Sequence, residues 1–123
     1  LHRDFGIDII ALSDTVGSST RASIDQLFSE LIPGLPKVEF GAHLHTTPNA
    51  WMEKVDAAYN AGCRRFDGAL KGYGGCPMAA DSLTGNMPTE NMLKYFDEKG
   101  IDTGVNQESF EQALRATAGV FPL

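Results

Sequence analysis

Val38-Glu39-Phe40-Gly41-Ala42-His43-Leu44-His45 is the stretch that decides the architecture. Apart from Glu39 it is apolar until its end, where two imidazoles gather, as in a buried strand that delivers polar groups to one rim. Thr47 and Pro48 then start a helix, with proline at the first helical position. Trp51, Met52, Val55, Ala58 and Tyr59 make its apolar face, and Gly62 supplies the residue that ends it. Arg65 to Leu70 reads as the next strand. Strand, helix, strand with short connections means a right-handed βαβ unit and a parallel sheet.

The same grammar extends in both directions. Leu1 to Phe5 before Gly6 looks like the last turn of a helix, and Ile7 to Leu12 is a β-branched run suited to a strand buried on both faces. Its end, Ser13-Asp14-Thr15-Val16-Gly17, is polar. Thr20 to Ile32 follows as a helix with Ile24, Leu27, Phe28, Leu31 and Ile32 on one stripe, stopped by Pro33-Gly34-Leu35-Pro36. After the third strand comes Gly72 to Asn86, a glycine-rich run without regular period and too long for an ordinary connection. Pro88 then opens a helix through Lys99 carrying Met92, Leu93, Tyr95 and Phe96, closed by Gly100. Asn106 caps a last helix, Gln107 to Ala118, with Phe110, Ala113 and Leu114. Function in such sheets gathers at the carboxyl ends of the strands, and that edge carries Asp14, His43, His45 and the glycine run.

The totals narrow the classes. The 123 residues, 42% hydrophobic and 21% charged, suffice for one domain with a real core. A net charge of −6 and a pI near 4.9 argue against a nucleic-acid partner, which needs a basic surface. Anionic ligands would be held locally, by Arg64, Arg65, Lys71 or helix N-termini. Two cysteines, Cys63 and Cys76, are too few for a disulfide scaffold and fit a reducing compartment. No apolar run approaches the ~20 residues of a membrane span, so no membrane partner is expected.

His43 and His45, two apart on one strand, point to the same face roughly 6–7 Å apart at the backbone, a chelating spacing. The plain alternative is a solvated pair at a strand end. Asn86 has a carbonyl that could complete a site, or it is a turn residue after glycine. Asp14 is a strand-end carboxylate or a simple cap. Asp67 could bond a neighbouring strand end, and Glu90 suits the first turn of its helix for dipole reasons alone. Cys63 reads as a small core residue. Cys76 sits amid the glycines, where a thiol could reach a substrate.

Gly72-Tyr73-Gly74-Gly75-Cys76-Pro77, followed by Thr84-Gly85-Asn86 and Thr89-Glu90, resembles the signature of 3-hydroxy-3-methylglutaryl-CoA lyase. Leu12-Ser13-Asp14-Thr15-Val16-Gly17, His43-Leu44-His45 and Gly100 to Asn106 are similar to further segments of that family. The resemblance runs over nearly all of the chain. It implies an α/β fold, the C-terminal portion of a (β/α)₈ TIM barrel, of about three βα units. Residues 1–123 would then be one partial domain, the C-terminal part of a longer polypeptide. It also implies cleavage of hydroxymethylglutaryl-CoA to acetyl-CoA and acetoacetate, as in leucine degradation. The cofactor would be Mg²⁺ or Mn²⁺, held by His43, His45 and Asn86. Asp14 would lie near the reacting hydroxyl, His43 would act as base, Cys76 as mobile acid/base and Glu90 as a supporting group. The partners would be an acyl-CoA substrate and either a second copy or the N-terminal part of the barrel. The location would be the cytoplasm or another reducing compartment, or, in a eukaryote, the mitochondrial matrix.

Two departures stand out. Thr46 occupies the place of the family's aspartate after the second histidine, and nothing matches the family's first strand with its Arg and Asp. Three other readings remain: a small zinc module using a cysteine, a non-catalytic assembly piece, and an acyl-CoA-condensing synthase of the same superfamily. Imidazole favours zinc, whereas Mg²⁺ and Mn²⁺ prefer oxygen.

Overall fold

A computed structural model describes residues 1–75, 79 and 82–121. A single helical turn, α1 (His2–Phe5), ends at Gly6 in the left-handed region and leads into strand β1 (Ile9–Asp14). Helix α2 (Arg21–Gly34) follows, then β2 (Glu39–Thr46), α3 (Trp51–Asn60) and β3 (Arg65–Phe66). A 3-10 turn at Leu70–Gly72 precedes β4 (Gly85–Asn86), α4 (Thr89–Glu98) and α5 (Gln107–Val120). The α/β reading with a parallel sheet is what the structure shows. β1, β2 and β3 lie in that order, with β1 paired to β2 from Ile9↔Glu39 to Asp14↔Leu44.

The core lies between this sheet and the helices. Phe40, Ala42 and Leu44 of β2 meet Ile24 and Phe28 of α2, Val55 and Ala58 of α3, and Met92 and Phe96 of α4. Cys63 is fully buried among them. Its thiol points at the carbonyls of Arg65 (3.1 Å) and Phe40 (3.6 Å), and burial pushes its pKa up, as befits an inert core residue.

Several expected boundaries shift for identifiable reasons. β1 begins two residues later than the apolar run, and it is not buried on both faces: Ile9 is 52% exposed, and Ala11 and Ser13 beside it are exposed. Among the described residues, β2 is the only strand paired with it, and alternate side chains of β1 stay exposed. Helix α2 runs through Pro33 to Gly34, two residues past the expected end, and Leu35 still donates its amide to the Leu31 carbonyl at 3.0 Å. Thr20 caps its start, as the Thr20 hydroxyl accepts from the Ser23 amide at 3.2 Å. Residues 47–50 form a turn, so α3 starts at Trp51 rather than at Thr47-Pro48. Met52 and Leu27, expected on buried stripes, are 49% and 44% exposed at the stripe edges.

The third strand is much shorter than Arg65–Leu70. Asp67 still donates its amide to Ala42, after which the chain turns to pair Ala69 with the segment before α4. The glycine run is not structureless at its end either. Gly85–Asn86 is β4, antiparallel to the end of β2, and Gly75 bridges Gly85. In α5 the Asn106 cap is present, its Oδ1 accepting from the Ser109 amide at 2.8 Å. Of the residues expected to anchor α5, Phe110 and Leu114 are half-buried and Ala113 is exposed; the buried residue of this helix is Thr117, which is not among them.

Candidate active site

Five polar residues, Asp14, His43, His45, Asp67 and Asn86, from four separate segments line the rim at the strand ends. β2 contributes His43 and His45, whose rings stand 5.7 Å apart between centroids. The two imidazoles differ in environment. His43 keeps 39% of its side chain exposed and turns Nδ1 towards Asp67 Oδ2 at 3.4 Å. That contact is the neighbouring-strand bond read for Asp67 in the sequence, and it leaves Nε2 as the other ring nitrogen. His45 is buried, and its Nδ1 has no hydrogen-bond partner among the described residues. Leaving a buried polar atom unpaired costs about 1–3 kcal/mol, so an orphan like this marks a place for a ligand.

Asn86 stands directly across from His45 in the β2–β4 pair. Its amide nitrogen donates to the carbonyls of Tyr73 (2.7 Å) and Gly74 (3.1 Å). Because both amide protons are taken, the orientation of the group is fixed and Oδ1 remains as an acceptor. This closeness depends on glycine. Gly74 has φ +93, and a Cβ there would sit 2.6 Å from the Asn86 amide nitrogen.

Asp14, at the end of β1, is held rather than loose. Its oxygens accept from the Ser18 amide (3.0 Å), the Ser19 amide (2.9 Å) and the Ser19 hydroxyl. They also accept from the ammonium of Lys54 at 3.1 Å. Burial works to raise its pKa, but the Ser19 hydroxyl and amide together with Lys54 outweigh it and hold the carboxyl below its ordinary value. A carboxylate so fully occupied is a poor proton acceptor, which sets Asp14 apart from the open His43.

Glu90 braces the base of the glycine run. Its carboxylate accepts from the Lys71 amide at 2.9 Å, and Lys71 adopts a left-handed φ of 55 that this bond helps to hold. Arg64 and Arg65 are committed elsewhere: Arg64 lies over the Tyr59 ring and donates to nearby carbonyls, while Arg65 faces Glu39. Lys71, exposed at the 3-10 turn, is the cation of the three that stands beside the glycine run. Cys76 lies outside the described residues.

Lys54 is the residue that reading the sequence missed. It is 2% exposed and donates to Asp14 Oδ2, to the Gly17 carbonyl (3.0 Å) and to the His45 carbonyl (2.9 Å). The signal was present in the spacing. Trp51, Lys54, Val55 and Ala58 recur at i, i+3, i+4 and i+7, which puts the lysine on the inward stripe. Thr46, also buried, donates its hydroxyl to Thr47 and supports neither histidine.

Two imidazoles and one amide oxygen fit a divalent ion, with the orphaned His45 nitrogen as the decisive fit. Among the described residues, no three of His, Cys, Asp and Glu converge on one point. A zinc module built on Cys63 is ruled out by geometry, since that thiol lies in the core among carbonyls at the amino end of β3.

A family model described as HMGL-like matches residues 2–116. The chain belongs to the HMGL-like family. It is 34% identical over 119 residues to (R)-citramalyl-CoA lyase of Chloroflexus aurantiacus, covering 94% of this chain and 37% of that protein. It is 30% identical over 112 residues to the hydroxymethylglutaryl-CoA lyase YngG of Bacillus subtilis, covering 91% of this chain and 37% of the relative. The solved HMG-CoA lyase of Bacillus subtilis superposes with a TM-score of 0.83 at 28% identity, over 94% of this chain and 39% of that one. An HMG-CoA lyase of A. baumannii, in complex with coenzyme A and 3-methylmalate, superposes with a TM-score of 0.80 at 32% identity, over 96% and 38%. The HMGL-like chain thus spans little more than a third of the length of these relatives, an α/β parallel-sheet part of a TIM barrel, as the resemblance implies. No helix among the described residues is long and apolar enough to cross a membrane.

Proposed function

We propose that the protein containing this chain is a divalent-metal-dependent lyase that cleaves 3-hydroxy-3-methylglutaryl-CoA to acetyl-CoA and acetoacetate. The observation that carries the reading is the meeting of His43, the orphaned His45 nitrogen and the oriented Asn86 amide at one strand end, in a chain of the HMGL-like family. His43, His45 and Asn86 would hold Mg²⁺ or Mn²⁺. Such an ion, when bound, supplies Lewis-acid polarisation of the substrate's tertiary hydroxyl.

The chain's own groups do the proton work. With Asp67 against Nδ1 of His43, Nε2 carries the lone pair that would help hold the ion or receive the hydroxyl proton. As that O–H bond breaks, its electron pair forms the ketone of acetoacetate, and the carbon–carbon bond pair passes to the acetyl-CoA enolate. The Cys76 thiol then gives its proton to that carbon. Asp14, saturated by Ser18, Ser19 and Lys54, keeps the loop after β1 in place beside the reacting hydroxyl. Glu90 holds the base of the glycine run through Lys71.

The remaining N-terminal part of a barrel would complete the site and cover the open face of β1 at Ile9, Ala11 and Ser13. We place this chain as the C-terminal part of such a barrel, in a reducing compartment. A second reading, citramalyl-CoA cleavage, is favoured by the 34% identity to a lyase of that name. The two substrates share a tertiary alcohol β to the thioester and differ by one methylene in the acid arm, a difference worth only about 1–3 kcal/mol in a pocket. The test is release of acetyl-CoA by the full-length protein from each thioester, with and without Mn²⁺. Metal-dependent release from hydroxymethylglutaryl-CoA at the higher kcat/KM supports the first reading. A higher value for citramalyl-CoA selects the second, and no release from either overturns both. Residues 1–123 alone are expected to be inactive in this assay.

A further inference from the structure

Lys54 is charged, fully buried and unused by the chemistry above. Its ammonium has three protons and three acceptors, Asp14 Oδ2, the Gly17 carbonyl and the His45 carbonyl, at 3.1, 3.0 and 2.9 Å. Each acceptor belongs to a different part of the rim. Asp14 ends β1, Gly17 lies in the loop after it, and His45 is the residue of β2 whose ring nitrogen is orphaned. Burying an ammonium costs several kcal/mol unless it is well paired, so a chain that only needed packing here would do as well with an apolar side chain.

The loop that Lys54 grips is itself pressed against the opposite wall. A Cβ on Gly17, which has φ +71, would meet the Thr84 methyl at 2.7 Å and the His45 carbonyl at 3.6 Å. Thr84 leads directly into Gly85 and Asn86 of β4. One buried cation therefore stands under the β1 end, the His45 backbone and, through Gly17 and Thr84, the strand that carries Asn86.

We propose that Lys54 is a positioning residue for the histidine–asparagine site. By fixing the His45 carbonyl against the end of β1, it sets the direction of the His45 ring and so the affinity of the site for its divalent ion. The inference rests on the metal reading above.

The test is Mn²⁺ binding to the full-length protein, followed by the loss of the free-ion electron paramagnetic resonance signal. Lys54→Met is expected to weaken binding about 10- to 100-fold, the usual effect of removing a group that orients a metal ligand. Lys54→Arg, which restores a buried donor, is expected to recover part of it. Asp56→Asn serves as the control for stability alone, because it cuts a helix-layer network and should leave Mn²⁺ affinity unchanged. If Lys54→Met does not fold, Lys54→Met/Asp14→Leu removes both members of the buried pair and is judged by the same shift. Wild-type affinity in a folded Lys54 variant overturns the proposal. Absence of Mn²⁺ binding by the wild type overturns the metal reading instead.

Discussion

The two walls of the rim are held by opposite means. On one side β1, β2 and α3 are joined by a buried charge, with Lys54 reaching Asp14, Gly17 and His45 at once. On the other side β4 and the glycine run are joined without charge, by an amide that donates to two backbone carbonyls and by glycines that let the backbones approach. The first wall tolerates no loss of a partner, since an uncompensated buried charge is costly. The second tolerates no gain of a side chain. The two meet where His45 pairs with Asn86.

The largest expected effect comes from breaking that junction. His43→Ala and His45→Ala in the full-length protein should each abolish most turnover and reduce its dependence on Mg²⁺ or Mn²⁺. A metal titration of activity unchanged in both variants would remove the pair from the ligand set. Cys76→Ala should lower kcat about 10²- to 10⁴-fold, the worth of a positioned proton donor, with metal affinity nearly unchanged. A variant that loses the ion would make the thiol a ligand instead.

Gly74→Ala probes the uncharged wall by itself. Its Cβ would collide with the Asn86 amide, and φ +93 adds strain of about 1–3 kcal/mol. It should lower the Tm and weaken Mn²⁺ binding together. Loss of Tm with full affinity would separate Asn86 from the ion.

The smallest effect lies outside both walls. Asp56 joins three helices, accepting from the Tyr95 hydroxyl and from Arg21, each at 2.6 Å, with Lys99 at 3.6 Å. The Tyr95 bond first, and then Arg21, lowers its pKa below the ordinary 3.8. Its ionised form is therefore favoured by folding. Its stabilisation is fully present above the ordinary value and is lost as pH falls through the lowered one. Asp56→Asn should flatten the acid limb of the stability curve while leaving turnover near neutral pH intact. An unchanged acid limb would show that the network contributes little.

How much of this could be read from the chain differs between the walls. The histidine pair is legible because the strand period puts both side chains on one face, and the Asn106 cap because an asparagine precedes a helical run. The proposed metal role of Asn86 rests on resemblance, while its pairing with His45 joins residues 41 apart in sequence and follows from no local pattern. β3 stops at Phe66 for a similar reason. The next residues are drawn to the segment before α4, and a Cβ on Gly68 would sit 2.8 Å from the Met87 carbonyl. Lys54 was hidden by its residue type, since a lysine in an amphipathic helix is ordinarily read as solvated. The exposed face of β1 was misread because an apolar run looks the same whether or not a neighbour covers it.

The convergence of both walls on one ion is tested most directly by pulsed electron paramagnetic resonance of Mn²⁺ bound to the full-length protein. Two imidazole nitrogens coupled to the ion are expected, with one coupling lost in His45→Ala and the other in His43→Ala. Mn²⁺ that binds without nitrogen coupling, or with couplings that survive both substitutions, would contradict the account.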